Sequence, residues 1–200
     1  MIHVTENRIR RSAFSLTELL VVVTLIVILG GLVAGVVVKA IDASRTSTSL
    51  TTMEVIQSGL SKQLQQVIDG AKKGGKSPEE IYSIVRQAFP MNLNEAKVGV
   101  PNLTSAYPPY QKSIGPSHQA LDGQAQKSAL LRLVLEKGPF SKVETDQLPK
   151  GALGQVSGVD LIRDAWGDPI GLDVQYSGTN ATNMKPKFIL SSPNTAKGGN

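Results

Sequence analysis

The sequence contains no cysteine and few aromatic residues. The missing cysteine excludes disulfide bonds, thiolate metal ligands, a cysteine nucleophile and a lipid-modified amino-terminal cysteine. Aromatic side chains make up 4% of the 200 residues, which is a poor supply for stacking on nucleic-acid bases. No nucleic-acid partner is therefore expected, although the formal net charge is +5.

Charged residues are also missing from one stretch, which runs from Leu19 to Val38 and contains 15 Leu, Ile and Val residues among its 20. A helix of that length spans about 30 Å, the thickness of a bilayer core. Its Leu, Ile and Val residues favour insertion by at most about 5–9 kcal/mol. The apolar region of a secretory signal is shorter, about 7–15 residues. The stretch therefore predicts a membrane anchor.

The flanks of this anchor predict its orientation. Arg8, Arg10 and Arg11 precede the apolar stretch, and only Lys39 and Arg45 follow it closely. Because positively charged flanks stay in the cytoplasm, the amino terminus is expected there and the rest of the chain outside.

A carboxylate, Glu18, stands at the start of the apolar stretch. In a plain anchor it would reach back to the lipid headgroups, and this interpretation stays open. However, Glu18 also belongs to a longer pattern: Arg10 and Arg11, then the small residue Ala13, then Phe14-x-x-x-Glu18 opening the apolar run. This pattern resembles the prepilin signature of type IV pilin-like proteins.

The resemblance implies that a membrane-embedded prepilin peptidase cuts between Ala13 and Phe14 and methylates Phe14. Residues 1–13 would then be a leader. The family usually has Gly before the cut, and Ala13 is similarly small. The resemblance also implies that Glu18 acts in assembly, by pairing with the Phe14 ammonium of a neighbouring subunit in a fibre.

The anchor, residues 14–38, is expected to continue as an amphipathic helix over residues 39–69, ended by Gly70 and by Gly74 and Gly75. Apolar residues recur at three- and four-residue steps along this continuation: Leu50, Met53, Ile56, Leu60, Leu64 and Val67. The Ser- and Thr-rich stretch 44–52 leaves a break between two helices open.

Residues 70–200 are predicted to form a periplasmic head with a helical insertion. Ser77, Pro78 and Glu80 predict a capped helix start, and Pro90 stops that helix. The proline-rich residues 91–119 predict a loop, and a helix is expected from Leu121 to Lys137. His118 lies in the loop without any catalytic motif, so no catalytic residue is predicted.

Two alternating runs near the carboxyl terminus, Ile170–Tyr176 and Lys187–Ser191, predict an antiparallel hairpin. Before them, Asp164, Trp166, Gly167 and Pro169 resemble the Asp-x-Trp-Gly-x-Pro motif of major pseudopilins of type II secretion systems. We expect a structural role for this motif, a tight turn whose Trp166 covers the sheet against the long helix.

Major pseudopilins often bind calcium through acidic residues in the loop near the carboxyl terminus. Residues 191–200 carry no carboxylate side chain. Asp160, Asp164, Asp168 and Asp173 match no EF-hand spacing. We therefore expect no metal and no other cofactor.

The predicted fold is α+β: a long amino-terminal transmembrane and amphipathic helix packed on a small globular head, with further helices and a carboxyl-terminal antiparallel β-hairpin or small sheet. The resemblance implies a structural, non-enzymatic subunit of the pseudopilus of a bacterial type II secretion system, in the inner membrane with its head in the periplasm. Its implied partners are further copies of itself, other pseudopilins, the prepilin peptidase and the inner-membrane secretion platform.

Two other functions stay open. One is a type IV pilus subunit for adhesion, motility or DNA uptake, although no cysteine pair marks a carboxyl-terminal loop. The other is a membrane-anchored periplasmic enzyme or binding module, for which the sequence offers no convergent polar site.

Overall fold

A computed structural model describes residues 15–140, 147–149, 151–177 and 185–194. The chain divides into two compact units, one ending at Ala43 and the other beginning at Ser44. The expected α+β class is confirmed, because a long apolar helix precedes a head of shorter helices and small antiparallel sheets.

Helix α1 runs without a break from Leu16 to Lys73. The hydroxyl groups of Thr48, Thr51 and Thr52 each donate to the carbonyl oxygen four residues earlier, so these side chains satisfy their hydrogen bonds within the helix. The possible break between two helices at residues 44–52 is therefore not present. The helix continues through Gly70 and ends at Lys73, directly before Gly74 and Gly75, which were expected together with Gly70 to end it. At Gly70 the Phe140 ring approaches so closely that a Cβ would come within 3.2 Å of it.

The buried stripe of α1 is rotated relative to the predicted one. It consists of Ser49, Thr52, Ile56, Leu60, Gln63, Val67 and Ala71. Ile56, Leu60 and Val67 are buried as predicted, but Leu50 is 49% exposed and was wrongly placed inside. The neighbouring Ser49 is buried instead, because its hydroxyl accepts a hydrogen bond from the head. Apolar spacing alone does not reveal such a polar contact.

Two predicted head helices are confirmed. Helix α2 covers Pro78–Ala88, with Ser77 and Glu80 forming the expected capping box. The Ser77 N–H and the Lys76 ammonium hold the pKa of the Glu80 carboxyl below its usual value. The longer helix, which is α6 in chain order, covers Gly123–Lys137 behind an Asp122 N-cap.

The loop predicted for residues 91–119 is wrong. This region contains three short helices and a small antiparallel sheet: α3 at Leu93–Val98, α4 at Pro108–Ser113, α5 at Pro116–Gln119, β1 at Gly99–Val100 and β2 at Thr104–Ser105. Prolines begin α4 and α5, at the position where a missing N–H costs nothing. Each of these elements is too short to show a period in the sequence.

Two hairpins complete the head. Strands β5 (Gly171–Ser177) and β6 (Lys185–Ser191) form the predicted antiparallel pair. Strands β3 (Leu153–Val156) and β4 (Val159–Ile162) were not predicted. Their turn uses Ser157 and Gly158, both at positive φ, as a type I′ hairpin requires. Helix α6 packs against β4 and β5.

The middle of the chain contributes to this core rather than lying outside it. Arg86 of α2 forms an ion pair of 3.0 Å with Glu95 and lies 4.5 Å from the ring centre of Tyr176 on β5. The Tyr176 hydroxyl donates to the carbonyl oxygen of Phe89 at 2.6 Å. Burial raises the pKa of Tyr176. These contacts join α2 and α3 to the terminal hairpin.

Candidate functional site

The amino-terminal end of α1 carries the first set of predicted site residues. Ala13 and Phe14 lie outside the described residues. Glu18 lies in the first turn, where its Oε2 accepts the Ser15 N–H at 2.9 Å. In return the Ser15 hydroxyl accepts the Glu18 N–H at 3.2 Å. Ser15 and Glu18 therefore form a capping box at the start of the helix.

Sequence reasoning overlooked this capping box. The signal was present, since Ser15-Leu16-Thr17-Glu18 has the Ser-x-x-Glu spacing that precedes an apolar run. The pairing gives Glu18 a function within its own chain. Ser15 binds Oε2, and among the described residues no hydrogen bond to Oε1 is seen, so this oxygen can accept a second donor.

The side chains that follow Glu18 present a continuous apolar surface. Every described residue from Ser15 to Arg45 is exposed. Within the apolar run the Thr24 hydroxyl donates to the Leu20 carbonyl oxygen at 2.7 Å, so this polar group is satisfied within the helix. By length and composition α1 can cross a membrane, and it is the one helix in the described part of the chain that can.

The Asp164 turn, residues 164–169, is the second predicted site. Asp164 is 3% exposed, and its Oδ1 accepts the N–H groups of Trp166 and Asp168, both at 2.9 Å. The Asp164 N–H donates to the Asp168 carbonyl oxygen and closes the turn. Gly167 adopts φ +92°, a conformation that favours glycine. The motif is thus a turn organised around one buried carboxylate.

The chain following β6 binds the other oxygen of this carboxylate. The Ser192 hydroxyl donates to Asp164 Oδ2 at 2.5 Å. The Asn194 side-chain amide donates to Asp164 Oδ2 at 3.4 Å and also to Asp168 Oδ2. This pairing could not be predicted from the sequence, because Ser192 and Asn194 lie in a polar segment without a recognisable motif.

Helix α1 is held by the same turn. The Ala165 N–H donates to the hydroxyl of Ser49, which is fully buried, at 3.0 Å. Trp166 is half-buried and borders a groove together with Thr48 and Thr52 of α1. The Asp164 turn therefore connects α1 with the end of β6, which is a structural function.

The other two aspartates considered as metal ligands have separate partners. Asp160 accepts from the Gln155 amide at 2.6 Å, and Asp173 forms an ion pair with Lys127 at 2.8 Å. Over the described ranges no group of three or more acidic or histidine side chains converges as a metal site would require. His118 Nδ1 accepts the Gly115 N–H at 3.3 Å, and burial lowers the pKa of this histidine.

Neither a family model, nor a curated protein, nor a solved structure matches this chain.

Proposed function

We propose that the chain is a structural subunit of a type IV pilin-like fibre, specifically of the pseudopilus of a bacterial type II secretion system. The observation that carries this proposal is the sequence Arg10-Arg11-Ser12-Ala13-Phe14 with Glu18 four residues later, directly before a long apolar helix. The helix start supports it, because α1 begins at Leu16, two residues beyond the proposed cut.

The proposal assigns a role to each segment of the chain. The prepilin peptidase removes residues 1–13, and the new Phe14 ammonium pairs with Glu18 of a neighbouring copy. The apolar part of α1 lies first in the inner membrane and then against other copies in the fibre. The head remains in the periplasm, where the fibre drives secretion, and the subunit performs no catalysis.

The amino terminus of the protein isolated from its native host tests the proposal. Mass spectrometry is expected to find Phe14 as the first residue, carrying one methyl group. Replacing Ala13 by a bulky residue, Ala13→Leu, should leave the chain inserted in the membrane but uncut. A wild-type protein that retains Met1, or that begins after Val38, would contradict the prepilin interpretation.

A deletion strain separates the secretion system from a pilus. Without the subunit, exported proteins are expected to be missing from the culture medium, while surface pili and motility remain. The opposite pattern would favour the pilus subunit.

A further inference from the structure

The tip of the β1–β2 hairpin carries the sequence Asn102-Leu103-Thr104, for which the proposed fibre has no use. An asparagine followed two residues later by threonine, with a residue other than proline between them, is the acceptor pattern of N-linked glycosylation. So short a pattern also arises by chance. The structure around Asn102 therefore has to show whether this asparagine is presented as an acceptor.

Asn102 occupies a corner of a tight turn between the two strands. The Leu103 N–H donates to the Val100 carbonyl oxygen at 3.1 Å and closes a β-turn, with Pro101 and Asn102 at its two central positions. Asn102 has φ +59°, and a proline followed by a residue at positive φ is the pattern of a type II turn. Asparagine adopts this conformation more readily than most residues, so the turn is built for the residue that it carries.

The Asn102 side chain is accessible at this corner. Pro101, Asn102 and Leu103 are all exposed. The Asn102 amide forms no hydrogen bond with any residue that the structure describes, so its nitrogen is available to an incoming group. The Thr104 hydroxyl donates to the Ser105 carbonyl oxygen at 3.1 Å, in a solvent-exposed contact that a transferase can replace.

Helix α2 holds the turn in place. Strands β1 and β2 have two residues each, too few to fix the hairpin by themselves. The Ser83 hydroxyl donates to the Leu103 carbonyl oxygen at 3.2 Å, and the Gln87 amide donates to the Ser105 carbonyl oxygen at 3.0 Å. Both bonds use main-chain oxygens of the hairpin, so they anchor its backbone and leave the Asn102 side chain outside the contact.

We propose that Asn102 is an N-glycosylation site whose sugar donor is an oligosaccharide linked through a diphosphate to a lipid carrier. In the transfer, the Asn102 amide nitrogen forms a bond to the anomeric carbon of the first sugar. The bond from that carbon to the diphosphate breaks, the diphosphate leaves with the electron pair, and the amide nitrogen loses one proton to the transferase. The inference rests on the proposed function in one respect, because the head must lie outside the cytoplasm to meet such a transferase.

Mass spectrometry of the full-length protein from its native host tests the site. Trypsin releases residues 98–112 as one peptide in which Asn102 is the sole asparagine, so this site is measured apart from Asn180, which also begins an Asn-x-Thr pattern. We expect the peptide to exceed its unmodified mass by a whole number of sugar residues, with fragmentation placing them on Asn102. An unmodified peptide, or sugar placed on Thr104 or Ser105, would overturn the inference.

Two matched pairs of variants test the acceptor pattern. Asn102→Asp should abolish the modification while keeping the turn, because aspartate also tolerates positive φ. Asn94→Asp, the same change at an exposed asparagine of α3 outside any acceptor pattern, should leave it in place. Thr104→Val should abolish it and Thr104→Ser should retain it, because only serine keeps the hydroxyl. Sugar that persists in Asn102→Asp or Thr104→Val would overturn the inference.

The same sample separates this inference from the proposed fibre, because the first residue of the chain is read from a different peptide. A chain that begins at Phe14 and carries an unmodified Asn102 would overturn the glycosylation site and leave the fibre standing. A chain that retains Met1 and carries sugar on Asn102 would overturn the prepilin interpretation and support the glycosylation site.

Discussion

Glu18 has a hydrogen-bond partner in its own chain, which changes how its substitutions must be interpreted. Glu18→Ala would remove the acceptor for the Ser15 N–H and also the charge that we propose pairs with a neighbouring copy. If that variant failed to assemble, the cause could be either a weakened helix start or the loss of the pair between subunits. Two gentler variants are needed.

Glu18→Gln keeps an oxygen that can accept the Ser15 N–H but removes the charge. We expect normal insertion and cleavage and loss of the crosslinked ladder in membranes, because the Phe14 ammonium of a neighbour would lack its counter-ion. Ser15→Ala, the control, removes the hydroxyl cap and keeps the charge, so its ladder should persist. A ladder as strong in Glu18→Gln as in wild type would rule out the charge pair.

Asp164 is the buried carboxylate on which the turn depends. Asp164→Ala would leave the N–H groups of Trp166 and Asp168 and the Ser192 hydroxyl without their acceptor. We expect a loss of about 3 kcal/mol in the free energy of unfolding, measured by denaturant titration of the full-length chain in detergent. Asp160→Ala removes an exposed aspartate and should change the free energy of unfolding by less than about 0.5 kcal/mol. Similar losses in both variants would contradict a central position for Asp164.

At the scale of elements, the end of α6 is fixed by contact with α1. A Cβ at Gly138 would lie 2.3 Å from Gln63 Nε2, 2.4 Å from the Val134 carbonyl oxygen and 2.8 Å from the Tyr110 hydroxyl. The φ of Gly138 is −63°, which any residue adopts, so the requirement for glycine is steric. The same Gln63 amide donates to the carbonyl oxygens of Val134 and Pro139, which fixes the end of α6 against α1.

Gly138→Ala is therefore expected to destabilise the head by about 1–3 kcal/mol, because the added methyl group must displace backbone as well as side chains. Gly115→Ala is the matched control, since its φ is −96° and no atom lies within 4 Å of the new Cβ. The two variants can be compared by thermal unfolding in the same detergent. Equal midpoints would show that the α1–α6 contact is looser than the structure indicates.

Elements differed in how far the sequence could predict them. Helix α2 was found because Ser77, Pro78 and Glu80 are local signals that act within one turn. The terminal hairpin was found because its strands have seven residues each, enough to show alternation. Hairpin β3–β4 was missed because its strands have only four residues each.

At the scale of the whole molecule, calcium is expected to have little effect. Asp160 and Asp173 have partners elsewhere, and Asp164 and Asp168 are already joined by the Asn194 amide. The melting temperature of the full-length chain in detergent should therefore be the same in calcium and in chelator. A rise of more than about 5 °C in calcium that Asp168→Asn abolishes would place a calcium site at the Asp164 turn.

The sequence by itself determined the apolar helix, the capped α2, the terminal hairpin and the resemblance around Phe14 and Glu18, because each depends on residues close together in the chain. Tertiary structure decided which face of α1 is buried, through a bond between Ser49 and Ala165 across 116 residues. It also decided that Ser192 and Asn194 complete the Asp164 turn. Such contacts join polar groups that lie far apart in the sequence, so only the folded chain brings them together.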